Sequence, residues 1–103
     1  MSIDIQPRDA IDIEVAADCY RRSGPRSLAR FLDRLGRALR LLELFPQLAA
    51  PYHPPDPRFP GLREYAVPSC GGYVVYYHPT SDGITVVRVL DGSMNVRAIF
   101  GPP

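Results

Sequence analysis

One arginine stands inside the most β-prone run of the sequence, Val86 to Leu90. A guanidinium keeps its charge at every physiological pH, so burying Arg88 in an apolar strand costs several kcal/mol unless carboxylates or carbonyls bind it. We expect Arg88 to reach a carboxylate such as Glu64 or Asp91, or turn carbonyls, and to lock the sheet. The alternative is that Arg88 belongs to a surface that carries out the function of the protein.

Other residue types that could do chemistry lie in the same half of the chain. Tyrosine and histidine can transfer protons, and arginine can stabilise an anion. The candidates are Arg63, Tyr76, Tyr77, His78, Arg88 and Arg97. No spacing signature ties them together, and tyrosine or histidine in a strand is ordinarily a half-buried packing residue.

Two helices are expected to precede these residues. Ile3 and Ile5 predict a short strand that ends before Pro7, and a helix follows from about Asp9 to Arg22. Its apolar positions are Ala10, Ile13, Ala17 and Tyr20. A second helix is predicted from about Arg26 to Phe45, with an apolar stripe of Leu28, Phe31, Leu32, Leu35, Leu39 and Leu42.

The opposite side of the second helix carries Arg26, Arg30, Arg34, Arg37 and Arg40. An arginine face is ordinarily a solvated one. Leu41 and Leu44 project on the same side near the helix end. They either pack under the following loop or mark a spot where a partner binds.

Three strands should follow a proline-rich crossing loop at Pro46–Gly61. The strand candidates are Leu62–Val67, Tyr73–His78 and Ile84–Leu90, joined by the turns PSCGG and PTSDG. The sum is a single α+β domain, residues 1–103, with the order β-α-α-β-β-β. A helical hairpin packs on a small, twisted, mainly antiparallel sheet, and the N-terminal strand joins its edge. SMNVRAIF, at 93–100, fits either a strand or a helical turn.

Composition bounds the function class. The chain has 103 residues and a net charge of +1, so bulk charge argues neither for nor against nucleic acid. No apolar run is long enough for a membrane span, and the N-terminus lacks the pattern of a secretory signal, which favours a cytoplasmic protein without membrane partners. Cys19 and Cys70 have no metal-ligand spacing; we expect free buried thiols, no metal and no cofactor.

Several segments in fixed order resemble the RelE/ParE superfamily of bacterial type II toxins. They are ARFLDRL at 29–35, FP at 45–46, PGLREYAV at 60–67, GYVVYYHP at 72–79 and VVRVLDG at 86–92. The resemblance implies a toxin that a cognate antitoxin binds and neutralises. ParE-like members act on DNA gyrase by binding, whereas RelE-like members cut messenger RNA in the ribosome.

PGLR and the aromatic strand look more like the ParE branch, which needs no catalytic acid or base. A RelE-like endoribonuclease is the alternative, with Arg63, Tyr77, His78 and Arg88 as its candidate catalytic residues. The chain has DGSMN where many members have a histidine and an arginine after Arg-Val-Leu. A third interpretation is therefore a toxin fold that has lost toxicity.

The resemblance also implies two binding surfaces. An antitoxin could add a strand to the sheet edge or lay an amphipathic acidic segment on the second helix. The residues expected there are Arg30, Arg34, Arg37, Leu41 and Leu44. The residues expected to bind the target, gyrase or alternatively ribosome and messenger RNA, are Arg63, Arg88 and Arg97, because Arg63 and Arg88 match recurrent arginines of the family.

Overall fold

Two helices pack on a five-stranded sheet, which confirms the α+β class. The structure, a computed structural model, describes residues 2–52, 59–68 and 72–91. The elements are β1 (Ser2–Ile5), α1 (Pro7–Arg22), α2 (Pro25–Leu44), β2 (Ala50–Pro51), β3 (Arg63–Ala66), β4 (Tyr73–Pro79) and β5 (Gly83–Asp91). The predicted bounds differ from these by one or two residues.

The strand order is β1-β5-β4-β3-β2, with β1 parallel to β5 and the other pairs antiparallel. The N-terminal strand lies at an edge, as predicted. β2 was not predicted: the start of the proline-rich loop pairs for two residues with β3, Ala50 with Glu64 and Pro51 with Arg63. Proline is tolerated there because the strand is an edge strand. Residues 53–58 of that loop, and the segment 93–100, lie outside the described residues.

The helices begin and end where local backbone chemistry requires it. Pro7 and Pro25 each occupy the first turn of a helix, where the missing N–H costs nothing. Gly24 separates the helices at φ +113°, a conformation that residues with a side chain rarely adopt. This short connection folds α1 and α2 into the expected hairpin.

The main core lies between the helices and one face of the sheet. Its largest buried side chains are Phe31, Leu42, Val75, Tyr77, Ile84, Val86 and Val89. The predicted stripes hold with two exceptions, because Leu32 in α2 and Ala10 in α1 are exposed. Tyr20 stacks on Phe31 with ring centroids 4.7 Å apart, and Tyr73 lies against both rings.

A second, smaller cluster covers the other face of the sheet. It contains Tyr52, Leu62, Tyr76 and Leu90. β4 and β5 are therefore buried on both faces, which explains why β5 is almost continuously apolar instead of alternating.

Gly83 is required by close packing at the start of β5. A Cβ atom on Gly83 would lie 1.8 Å from the backbone oxygen of Ser2, its partner in the parallel ladder. Only glycine lets β1 approach β5 this closely.

None of the helices described is long and apolar enough to cross a membrane, and no group of three or more potential metal ligands occurs among the side chains that the structure describes. The expectation of a buried thiol was wrong for Cys19, which is free and exposed on α1. Cys70 lies outside the described residues.

Candidate functional site

Arg88 binds a carboxylate of α1. Its Nε donates to Oδ2 of Asp12 at 2.7 Å and its Nη2 donates to Oδ1 at 2.9 Å, a two-bond pairing of guanidinium and carboxylate. The side chains are 15% and 9% exposed. The expectation that Arg88 binds a carboxylate is confirmed, but Asp12 was not among the predicted partners, because it lies across the fold on α1.

Asp12 also accepts a hydrogen bond from the backbone of β5. β1 pairs with β5 only as far as Val86, and α1 takes its place beside the next residues. The backbone N–H of Val89 donates to Oδ2 of Asp12 at 3.1 Å. One carboxylate therefore binds the arginine and also accepts from the Val89 amide, which lies beyond the last residue of β5 that pairs with β1. The sequence held a signal for this role, since Asp12 lies one turn before the buried Ala16.

Arg63 holds the turn that follows α2. Its guanidinium donates to the backbone oxygen of Ala49 and to the backbone and side-chain oxygens of Gln47, the last at 2.7 Å. Its donors are thus directed at the protein's own chain. Sequence reasoning could not find these partners, because they depend on the path of the chain after the helix.

Tyr77 holds the same turn from the neighbouring strand. Arg63 and Tyr77 are paired in register, and the Tyr77 hydroxyl donates to the backbone oxygen of Pro46 at 2.8 Å. The ring is fully buried. Burial raises the pKa of Tyr77, and its contacts with Ala49 and Arg63 oppose that rise only in part.

The remaining candidates on β4 are Tyr76, which is buried, and His78, which is half-buried. Tyr76 lies in the second cluster, edge-on to Tyr52, and burial raises its pKa to about 12, with the nearby Glu64 carboxylate adding to the effect. His78 is half-buried, and its Nδ1 lies 3.4 Å from the backbone oxygen of Pro79. A phenol with a raised pKa is a weaker proton donor than a free one.

The arginine face of α2 borders a cleft of about 240 Å³. Its lining residues are Arg34, Arg37, Ala38, Leu41, Tyr65 and Pro68. Arg37 also pairs with Asp33 one turn earlier, at 3.2 Å. The cleft combines cationic and apolar groups between α2 and β3, and Leu41 faces it. Leu44, by contrast, is exposed at the helix end.

The structure thus separates the predicted residues into two groups. Arg63 and Tyr77 bind the turn that follows α2, and Arg88 binds Asp12 of α1, so all three are engaged by the protein's own chain. Arg34, Arg37 and Leu41 share the cleft, while Arg30 is exposed on the same helix. Arg97 lies outside the described residues. All of these assignments to target, antitoxin or catalysis remain predictions.

Comparison with known proteins identifies the family. The profile for the ParE toxin of the type II toxin-antitoxin system, parDE, matches residues 5–96. Among solved structures, the chain is similar to the chromosomal ParDE TA system from P. aeruginosa, with a TM-score of 0.68 and 18% identity, covering 86% of this chain and 92% of that chain. No curated protein sequence matches. The structural likeness supports the fold, and the profile spans nearly the whole sequence: the chain belongs to the ParE toxin family of type II toxin–antitoxin systems.

Proposed function

We propose that this chain acts in the cytoplasm as a toxin that binds DNA gyrase, and that a cognate antitoxin binds and neutralises it. Membership of the ParE family supports the toxin assignment. The solved ParDE system, which has the same fold, supports the expectation of an antitoxin partner.

The observation that favours binding over catalysis is the engagement of the candidate catalytic groups. Three of the four, Arg63, Tyr77 and Arg88, direct their donors at the protein's own oxygens. An endoribonuclease needs groups aimed at the 2′-hydroxyl, the leaving oxygen and the phosphate. A protein that works by binding needs none of these, so internal use of these side chains is compatible with toxicity.

For the antitoxin, the surface best suited is the cleft beside α2. Its arginines attract an acidic segment, and Leu41 and Tyr65 offer apolar contacts beside them. The edge of β3 lies next to the cleft, and β2 covers that edge only at Arg63 and Glu64. A segment of the antitoxin could add a strand at Ala66 while its neighbouring residues enter the cleft.

A supercoiling assay tests the target. Purified chain should inhibit supercoiling of relaxed plasmid by gyrase, and premixing with the product of the adjacent reading frame should restore it. Full gyrase activity at saturating chain would refute the gyrase assignment. In parallel, ribosomes carrying message should leave the message uncut; cleavage in the occupied A site would instead establish the RelE-like alternative.

A charge reversal tests the antitoxin surface. Arg34→Glu should weaken binding of that antitoxin about tenfold or more, because it replaces an attractive charge in the cleft with a repulsive one. Arg8→Glu makes the same change on α1, away from the cleft, and should leave affinity within about twofold. Titration calorimetry at fixed salt measures both. Equal affinities for the two variants would show that the antitoxin binds elsewhere.

A further inference from the structure

The end of α2 presents three large apolar side chains to solvent. Leu44, Phe45 and Leu48 are 48%, 58% and 54% exposed, and we call them the apolar knob. They lie within one turn of chain, because Phe45 ends the helix and the backbone N–H of Leu48 donates to the oxygen of Phe45 at 3.0 Å. Single exposed apolar residues are common on proteins, whereas a cluster of large apolar side chains within five positions is typical of a surface that binds a partner.

Hydrogen bonds from β3 and β4 fix the backbone of the segment that carries the knob. The backbone oxygens of Pro46, Gln47 and Ala49 accept hydrogen bonds from Tyr77 and Arg63. Ala49 is itself buried, so the turn is fixed at the strand side. Because the backbone is already ordered, a partner that packs on the knob loses little conformational entropy of this chain on binding.

The chemistry around the knob indicates the partner. Upstream on α2 lie five arginines with a single acidic residue, Asp33, between the first and last of them. The last turn, in contrast, contains no basic residue and consists of three leucines and Glu43. One helix therefore presents a cationic part followed by a mainly apolar part. The complementary ligand is an amphipathic segment with acidic residues in one part and apolar residues in the other.

We propose that the apolar knob is the anchor of the antitoxin interface, and that the arginines of α2 steer the acidic segment onto it. This inference rests on the proposed function and extends it, since Phe45 and Leu48 are new contact residues and Arg63 and Tyr77 become positioning residues. The two parts have different kinetic roles. Long-range charge raises the association rate, whereas desolvated apolar anchors set the dissociation rate.

Kinetics of binding to immobilised product of the adjacent reading frame test this division. The knob variant, Phe45→Ser with Leu48→Ser, should dissociate about tenfold to a hundredfold faster, with its association rate within about threefold of the parent. The steering variant, Arg30→Ser with Arg40→Ser, should associate more slowly and lose part of the salt dependence, with dissociation nearly unchanged. Both variants should melt near the parent, because all four side chains are exposed.

The other possible outcomes distinguish a failure of the proposed function from a failure of this inference. If the parent does not bind the antitoxin, the proposed function fails and the inference with it. If the parent binds and the knob variant dissociates at the parental rate, the inference alone is overturned. Unchanged antitoxin kinetics together with lost gyrase inhibition would assign the knob to the target. A parent dimer that the same substitutions dissociate, with antitoxin kinetics unchanged, would assign it to a second copy of the chain.

Discussion

Replacing Arg88 with alanine should destabilise the protein strongly. The change removes both guanidinium bonds to Asp12, whose carboxylate is 9% exposed and would keep only the Val89 amide among the three bonds described above. Breaking a buried ion pair by removing one partner costs about 3–5 kcal/mol. Domains of this size have a free energy of unfolding of about 5–15 kcal/mol, so about 30–50% of a mid-range value would be lost. Each kcal/mol lowers Tm by about 4–8 °C, which predicts a fall of at least about 12 °C.

Urea denaturation followed by circular dichroism measures this cost, and a double-mutant cycle isolates the pair. Asp12→Ala should cost a similar amount, because the Val89 amide also loses its acceptor. The double variant should cost less than the sum by about 1–3 kcal/mol. Arg30→Ala is the matched control on the exposed face and should stay within about 0.5 kcal/mol of the parent. If Arg88→Ala were as mild as Arg30→Ala, the structural role would be refuted and a role in target binding favoured.

Three further changes probe the scaffold. Gly83→Ala should loosen the pairing of β1 and lower the free energy of unfolding by about 1–3 kcal/mol in urea, because the new Cβ would collide with the backbone oxygen of Ser2. The control Gly36→Ala adds a Cβ in open space at an exposed position of α2 and should raise the free energy of unfolding by about 0.5–1 kcal/mol. Equal effects of the two substitutions would contradict the close approach of β1 and β5. Tyr77→Phe should cost about 1 kcal/mol, measured in the same way, through the lost bond to the turn after α2, and a neutral result would mean that water replaces it. Burial raises the pKa of Tyr76 to about 12, so unfolding above about pH 10 releases a proton from this hydroxyl. The free energy of unfolding should therefore fall as pH rises from about 10 towards 12. An absorbance titration of the folded protein in which every tyrosine ionises near pH 10 would contradict this.

Elements with a strong local pattern were predictable from sequence, and those made by pairing alone were not. α2 carries its apolar residues at helical spacing over 20 residues, so its existence and its buried side could be predicted. β2 has only two residues, one of them proline, and it is a strand because β3 offers partners. No local propensity marks such an edge.

The same reasoning divides the site residues. The conflict between a charge and an apolar strand predicted an ion pair at Arg88, but its partner is 76 positions away in sequence, beyond any local pattern. Arg63 and Tyr77 were candidates for target binding or catalysis, and their internal partners could not be predicted because the path of the turn after α2 was unknown. Arg34 and Leu41 could be assigned to one side of α2, since helical spacing determines which residues share a face.

The position of β5 has a consequence for how the protein is made. β5 is the last strand of the chain in the described region, yet it lies between the first strand and the other three. A nascent chain on the ribosome can form the helical hairpin early, but β1 has no strand to pair with until residues 83–86 have emerged. The sheet is therefore completed by contacts between the two ends of the sequence, a topology of high contact order that slows folding. A chain truncated before β5 would therefore lack the strand that joins β1 to the rest of the sheet.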